Sequence, residues 1–167
     1  AYWGDTDYVS KGDLLEKYNK FIINISEFTP EQVAEDIEKE PIVWFQGAAE
    51  IGPRALGHRS IIASAFSVEA KVKLNEIKKR QWWRPVAPII LEDKVEEWFE
   101  NAYATPYMLH TFTIRAEKKE SVPAIVHLND TCRVQTLNRE QDEMLYDVIR
   151  EVEKLSLIHI SEPTRRS

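Results

Sequence analysis

The chain has 167 residues, 43% hydrophobic and 30% charged, with a net charge of −6. That composition supports one domain with a packed core, and its acidic balance argues against a nucleic-acid binder. No apolar run approaches the ~20 residues a bilayer-spanning helix needs. The single cysteine, Cys132, excludes an intrachain disulfide and fits a reducing compartment, with the cytoplasm as default.

Residues 1–12, "AYWGDTDYVSKG", lack any period and read as the end of something upstream, the more so because the chain opens on Ala1 rather than a methionine. "DLLEKYNKF" reads as a short helix and "FIINI" as a short strand. Thr29-Pro30-Glu31 then has the form of a helix start, with Thr29 as N-cap and Pro30 at the first helical position. "IVWFQG" (42–47) and "SIIASAF" (60–66) are strand candidates. Val68 to Ile77 carries apolar residues at helical spacing. In "PVAPIIL" two prolines forbid a central helix. Asp93 to Phe99 reads as a short helix, "YMLHTFTI" and "CRVQTL" as strands, and Glu140 to Lys154 as an amphipathic helix. Strands alternating with helices predict an α/β or α+β domain. Leu155 to Ser167 changes character abruptly and is expected to be a read-through tail outside the domain, with a natural disordered tail as the alternative.

The charge is unevenly distributed. Between Ile51 and Ile90 there are eight Lys or Arg and two Glu, a local +6 that leaves −12 on the rest. A local positive field on an acidic body points to a small anionic ligand. Within it, "AEIGPRALGHRS" (49–60) combines glycines that allow close backbone approach with the planar donor forks of Arg54 and Arg59. It is neither a Walker loop nor a dinucleotide fingerprint, and it reads either as an anion-binding loop or as a tight turn with solvated arginines. "EIKKRQWWRP" (76–85) gathers Lys78, Lys79, Arg80 and Arg84 around two tryptophans. Pro85 disfavours helix at Arg84, so the helix is expected to end near Ile77. An extended segment beyond it would put Lys78 and Arg80 on one face. Trp82 and Trp83 read as core residues, or else as a stacking platform. In "VPAIVHLNDTCRVQT", His127, Thr131 and Arg133 stand between strand-like runs. No second His or Cys lies at ligand spacing there, and Cys132 reads as a small core residue.

Three segments, "WFQGAAEIGPRALGHRSIIAS", "LNEIKKRQWWRPVAPIILE" and "TPYMLHTFTI…VPAIVHLNDTCRVQT", together resemble the C-terminal domain of the NodU/CmcH-type O-carbamoyltransferases. The resemblance runs roughly from Phe28 to Lys154. It implies a YrdC-like α/β domain over 13–154, an open twisted mixed sheet flanked by helices with a positively charged concavity. It implies binding of carbamoyl phosphate and ATP, with Mg2+ expected alongside, and formation of carbamoyl adenylate. An upstream actin/sugar-kinase-like domain of the same chain, of which residues 1–12 would be a remnant, would then transfer the carbamoyl group to a hydroxyl of a sugar or natural product. By motif position, Lys78 and Arg80 match the catalytic pair. Arg54, Arg59, Arg84, His127, Thr131 and Arg133 fall on substrate-binding positions. The sequence departs from the family at Ile51, where Phe is usual, at His58, where Asn is usual, and at Asp130, which replaces a glycine and is expected to alter the loop. The family's closing Asn-Thr-Ser-Phe-Asn segment is missing, so the isolated chain is expected to be catalytically inactive. The alternative is a non-catalytic phosphate-, nucleotide- or RNA-binding YrdC-like module.

Overall fold

The computed structural model describes residues 2–4, 10–156 and 159–162, the last stretch and Ser156 as backbone. Helix α1 (Lys11–Tyr18) is capped by the Ser10 hydroxyl, which accepts the Asp13 amide, and none of its residues is buried. The "FIINI" strand is not formed. Phe21 closes a 3-10 turn after α1, and the residues that follow are irregular, with Ile23 and Ile25 exposed and no neighbouring strand to pair with. Helix α2 (Pro30–Lys39) starts as the sequence predicts, with Thr29 accepting the Gln32 amide and Pro30 in the first turn.

Strand β1 (Ile42–Phe45) pairs antiparallel with β2 (Arg59–Ser64). The Gly-rich segment is therefore the connection between two paired strands. Helix α3 (Val68–Ile77) follows, capped by Ser67. Strand β3 (Ile89–Leu91) then leads through a 3-10 turn into the short helix α4 (Val95–Trp98). Strands β4 (Thr111–Thr113) and β5 (Thr131–Arg133) pair antiparallel, and β6 (Gln135–Leu137) runs parallel to β3. Helix α5 (Glu143–Ser156) begins three residues later than the periodicity suggests. Asp142 caps it: its carboxylate accepts the Leu145 amide and its carbonyl the Tyr146 amide. The segment beyond the helix, set aside on sequence grounds, supplies β7 (His159–Glu162), antiparallel to β2. The expected upstream remnant at 1–12 and the rest of the tail lie partly outside the described residues.

The chain is thus mixed α/β, as expected; among the described residues the strands are spread over three small sheets with no closed barrel. Strand β3 divides the interior. Side chains alternate along a strand, so Ile89 and Leu91 pack with α2, α5 and Trp44, while Ile90 packs with Trp98, Phe99, Phe112, Ile114 and Cys132. Burial on both faces explains why "IIL" is uniformly apolar, as parallel strands usually are. Each such aliphatic side chain contributes about 1.5–3 kcal/mol on burial. Cys132 lies in this second core; its thiol meets the Ile125 carbonyl, and burial pushes its pKa up to about 12, so it is an inert thiol.

Candidate functional site

The β1–β2 connection is built around a buried carboxylate. Glu50 is fully inaccessible, and its Oε1 accepts the amides of Leu56 (2.6 Å), His58 (2.9 Å) and Arg59 (3.4 Å). Burial alone would push its pKa up, but the backbone amides of Leu56, His58 and Arg59 together hold it below the ordinary glutamate value. The loop closes over α5 at Gly57, whose φ of +102° favours glycine and where a Cβ would lie 2.5 Å from Leu145. Its amide donates to the Ser60 hydroxyl.

His58 ties the loop to the start of α5. Its Nδ1 lies 2.7 Å from the Ala48 carbonyl, its Nε2 3.5 Å from Asp142, and Tyr2 stacks on its ring at 3.9 Å. Burial opposes the imidazolium, yet Asp142, the Ala48 carbonyl and Glu50 outweigh it and raise the pKa. A raised folded-state pKa contributes stability that is fully present below the ordinary histidine value and is lost as pH rises through the folded value. The melting-temperature advantage of the wild type over His58→Gln is therefore expected to be largest on the acid side of neutrality and to shrink as the buffer becomes alkaline. A gap that widened with pH would contradict the pair's role.

Helix α3 ends at Ile77, as the sequence predicts, but the chain does not then become extended. The Lys79 amide returns to the Glu76 carbonyl and the Arg80 amide to the Asn75 carbonyl, with Lys79 at φ +51°. This is a Schellman closure with lysine at the left-handed position usually held by glycine. Lys78 and Arg80 therefore do not lie along one face of an extended segment. Arg80 lines a concavity, whereas Lys78 occupies the helix cap and does not. Trp82 and Trp83 are likewise not core residues: they are 71% and 57% exposed, because the turn carries them away from the interior.

That concavity, about 300 Å3, is lined by Arg54, Arg80, Arg84, Met108, His127 and Arg133 together with Pro85 and Ala87. Four arginines from three separate stretches of sequence converge, and no carboxylate lines the space. Arg133 ends β5 with its side chain exposed, while the neighbouring Cys132 points inward. His127 opens the turn before β5; its amide donates to the Thr131 carbonyl and its carbonyl accepts the Asp130 amide. Burial first, then the charges of Arg133 and Lys71, push its imidazole pKa down, which favours the neutral ring beside the arginines. Asp130 takes φ +61°, the left-handed conformation that Asp tolerates better than most residues. The turn thus keeps the backbone path a glycine would allow. Thr131 is not among the residues lining the concavity; its hydroxyl donates to the Asn129 side-chain oxygen. Arg59 also stands apart: its guanidinium donates to the carbonyls of Gln46 (2.6 Å) and His58 (2.9 Å) and lies on the Phe45 ring.

Three residues not singled out from the sequence shape this site. Asn75, fully buried, accepts the Arg80 Nε–H at its Oδ1 and donates from Nδ2 to the carbonyls of Trp82 (2.9 Å) and Arg84 (3.0 Å). A lone amide beside Leu74 on the packed face of α3 was its only sequence signal. Met108, buried at φ +52°, forms part of the concavity wall. Lys71, one turn before Asn75, stands close enough to His127 to repel its proton.

With this geometry established, comparison with known proteins is decisive. The model of a family described as "Carbamoyltransferase C-terminus" matches residues 34–161. The chain belongs to that family. It is 45% identical over 117 residues to nodulation protein U of Rhizobium tropici, covering 70% of this chain and 20% of that protein. It is 40% identical over 127 residues to nodulation protein U of Bradyrhizobium diazoefficiens, covering 76% and 22%. An uncharacterized protein of Methanocaldococcus jannaschii is 34% identical over 141 residues, covering 83% and 27%. The chain thus spans about a fifth to a quarter of the length of these relatives. All four arginines of the concavity, His127 and the Glu50 loop fall inside the family match.

Proposed function

We propose that this domain binds carbamoyl phosphate and ATP in the arginine concavity and forms carbamoyl adenylate. The rest of a longer carbamoyltransferase would then pass the carbamoyl group to a hydroxyl of a sugar or natural-product acceptor. The observation that carries this reading is the convergence of Arg54, Arg80, Arg84 and Arg133 on one carboxylate-free space in an otherwise acidic chain. Bringing two phosphate-bearing compounds together places several negative charges at close range. Fixed guanidinium groups offset that repulsion and stabilise charge developing on departing phosphate. Arg80, held by Asn75, and Arg84, on the segment that Asn75 anchors, are preorganised for this task. Neutral His127 can give or take a hydrogen bond without competing for the anion. Lys78, at the helix cap beside Arg80's turn, contributes positive charge to this part of the chain without lining the concavity. Among the described residues no cluster of His, Cys, Asp or Glu is arranged to hold a metal ion, so we derive no step through Mg2+.

Calorimetric titration with carbamoyl phosphate is expected to show saturable binding, weakened at least tenfold in Arg80→Ala and in Arg133→Ala, in line with the loss of a charge-assisted hydrogen bond. Lys78→Ala is expected to have a smaller effect. Short single-stranded RNA serves as the comparison ligand across a salt series. RNA affinity with a steep salt slope, and none for carbamoyl phosphate, would instead identify a nucleic-acid module.

A further inference from the structure

Between Tyr2 and α2 the chain makes an excursion that the domain does not bury. At its near end the Tyr2 ring stacks on His58, the Tyr2 hydroxyl donates to the Leu56 carbonyl at 2.9 Å, and the Gly4 amide donates to the Ala49 carbonyl at 2.8 Å. At its far end α2 packs Ala34 and Ile37 into the core. In between, α1 has no buried residue. At about 100° per residue, Leu14, Leu15 and Tyr18 stand on one face of α1 with Asp13 and Glu16 opposite. All three apolar side chains are exposed. Phe21, 72% exposed, continues the apolar run with Ile23 and Ile25, and Phe28 then rests edge-on against Trp44 of β1. Among the described residues β1 is itself an edge strand, paired with β2 alone, and its alternate residues Val43 and Phe45 are 79% and 66% exposed.

Two physical facts make this arrangement incomplete by itself. A helix of eight residues is well short of the ~12–15 that even a good helix former needs in water, so its stability has to come from packing. An edge strand is normally blunted by charge, proline or cover, whereas the β1 edge presents Val43 and Phe45. Exposed apolar surface of this kind marks an interaction site. We infer that α1, the 21–28 segment and the outer edge of β1 form the docking surface for the part of a longer carbamoyltransferase that precedes this domain. The family match identifies this occupant. It begins at residue 34 and carries the description of a carbamoyltransferase C-terminus, and the chain covers only 20–27% of the relatives. The remainder of such a protein joins on the side where α1 lies. Covalent connection also decides against a second copy of this chain. Separate chains need about 1,000 Å2 of buried surface to associate stably. A tethered surface meets its partner at an effective concentration of about mM, so a short helix and one strand edge suffice. The inference rests on family membership and not on the ligand of the arginine concavity.

The test compares amide hydrogen exchange in the 167-residue chain and in the same chain joined behind the part of the Rhizobium tropici relative that precedes its region of similarity. In the chain alone the α1 amides are expected to exchange almost freely. In the joined protein they should exchange at least about tenfold more slowly. Leu14→Lys and Phe21→Lys should abolish that protection, and Val43→Lys should reduce it from the β1 side. Glu16→Lys, which sets the same side chain on the opposite face of α1, should leave it intact. Lysine and leucine are similar helix formers, so loss in Leu14→Lys reports the contact and not the helix. Because Leu14, Phe21 and Val43 are exposed, each variant of the chain alone should melt within about 2 °C of the parent, which shows that the domain is folded. Equal α1 exchange in the chain alone and in the joined protein, both folded by thermal melt, would overturn the inference. Protection in the chain alone that grew with its own concentration would overturn it as well, by identifying a second copy as the occupant. The readout involves no ligand, so failure of the carbamoyl phosphate titration and failure of the docking surface are distinguished.

Discussion

Asn75→Ala is expected to weaken carbamoyl phosphate binding by ten- to a hundredfold although Asn75 is no part of the concavity lining. The amide fixes Arg80 through its Oδ1 and holds the carbonyls of Trp82 and Arg84 through its Nδ2. Removing it takes one hydrogen bond from the Arg80 guanidinium and loosens the segment that carries Arg84. Two carbonyls also lose their partner beside a new cavity, which costs about 2–4 kcal/mol of stability. Asn75→Asp separates the two effects. It keeps an acceptor for Arg80 but sets a carboxylate oxygen against two carbonyl oxygens, and it adds negative charge behind an anion site. Binding is therefore expected to fall in Asn75→Asp even at temperatures where the variant is fully folded. Affinity that simply tracked the loss of melting temperature across Asn75→Ala, Asn75→Asp and an unrelated core variant would reduce Asn75 to a structural residue.

Glu50→Ala is expected to be the most destabilising single change in the β1–β2 connection, by about 3 kcal/mol or more. Three backbone amides lose a buried, charged acceptor together, and hydrogen bonds to charged groups are worth about 1.5–3 kcal/mol each in mutational data. At the usual 2–4 °C per kcal/mol for a chain of this size, melting should fall by roughly 6–12 °C or more. The effect has a pH signature. A folded-state pKa held below the ordinary glutamate value means the contribution is present above that value and is lost as pH falls through the folded one. Wild type and Glu50→Gln should thus converge in melting temperature under acid conditions and diverge toward neutrality. Parallel curves across that range would show that the carboxylate charge does not organise the loop.

Several features of the chain were legible because they are local. The Thr29-Pro30 start of α2, the end of α3 at Ile77, the apolar run of β3 and the amphipathic face of α5 each follow from propensity, capping or period within a few residues. The "GPRALG-x-RS" and "K-x-R-x3-RP" patterns, with the charge excess between Ile51 and Ile90, already pointed to a small anionic ligand and to the carbamoyltransferase family. What could not be read was direction. The "FIINI" run has strand composition but acquires no partner strand, and pairing is a tertiary event. Lys78 and Arg80 part company because a Schellman turn, closed with lysine where glycine is expected, replaces an extended segment.

Arg54 and Arg59 look equivalent in a string of letters, five residues apart in one motif. Only the folded chain turns Arg54 into the concavity and anchors Arg59 to two carbonyls over Phe45. Asn75 and Glu50 were invisible for the same reason: what each does depends on polar groups brought to it by other parts of the backbone. The sequence by itself determined that an acidic chain carries a concentrated excess of arginine and lysine between Ile51 and Ile90. The tertiary structure decided which of the cations converge, because convergence depends on turns and on buried hydrogen bonds that no local pattern encodes.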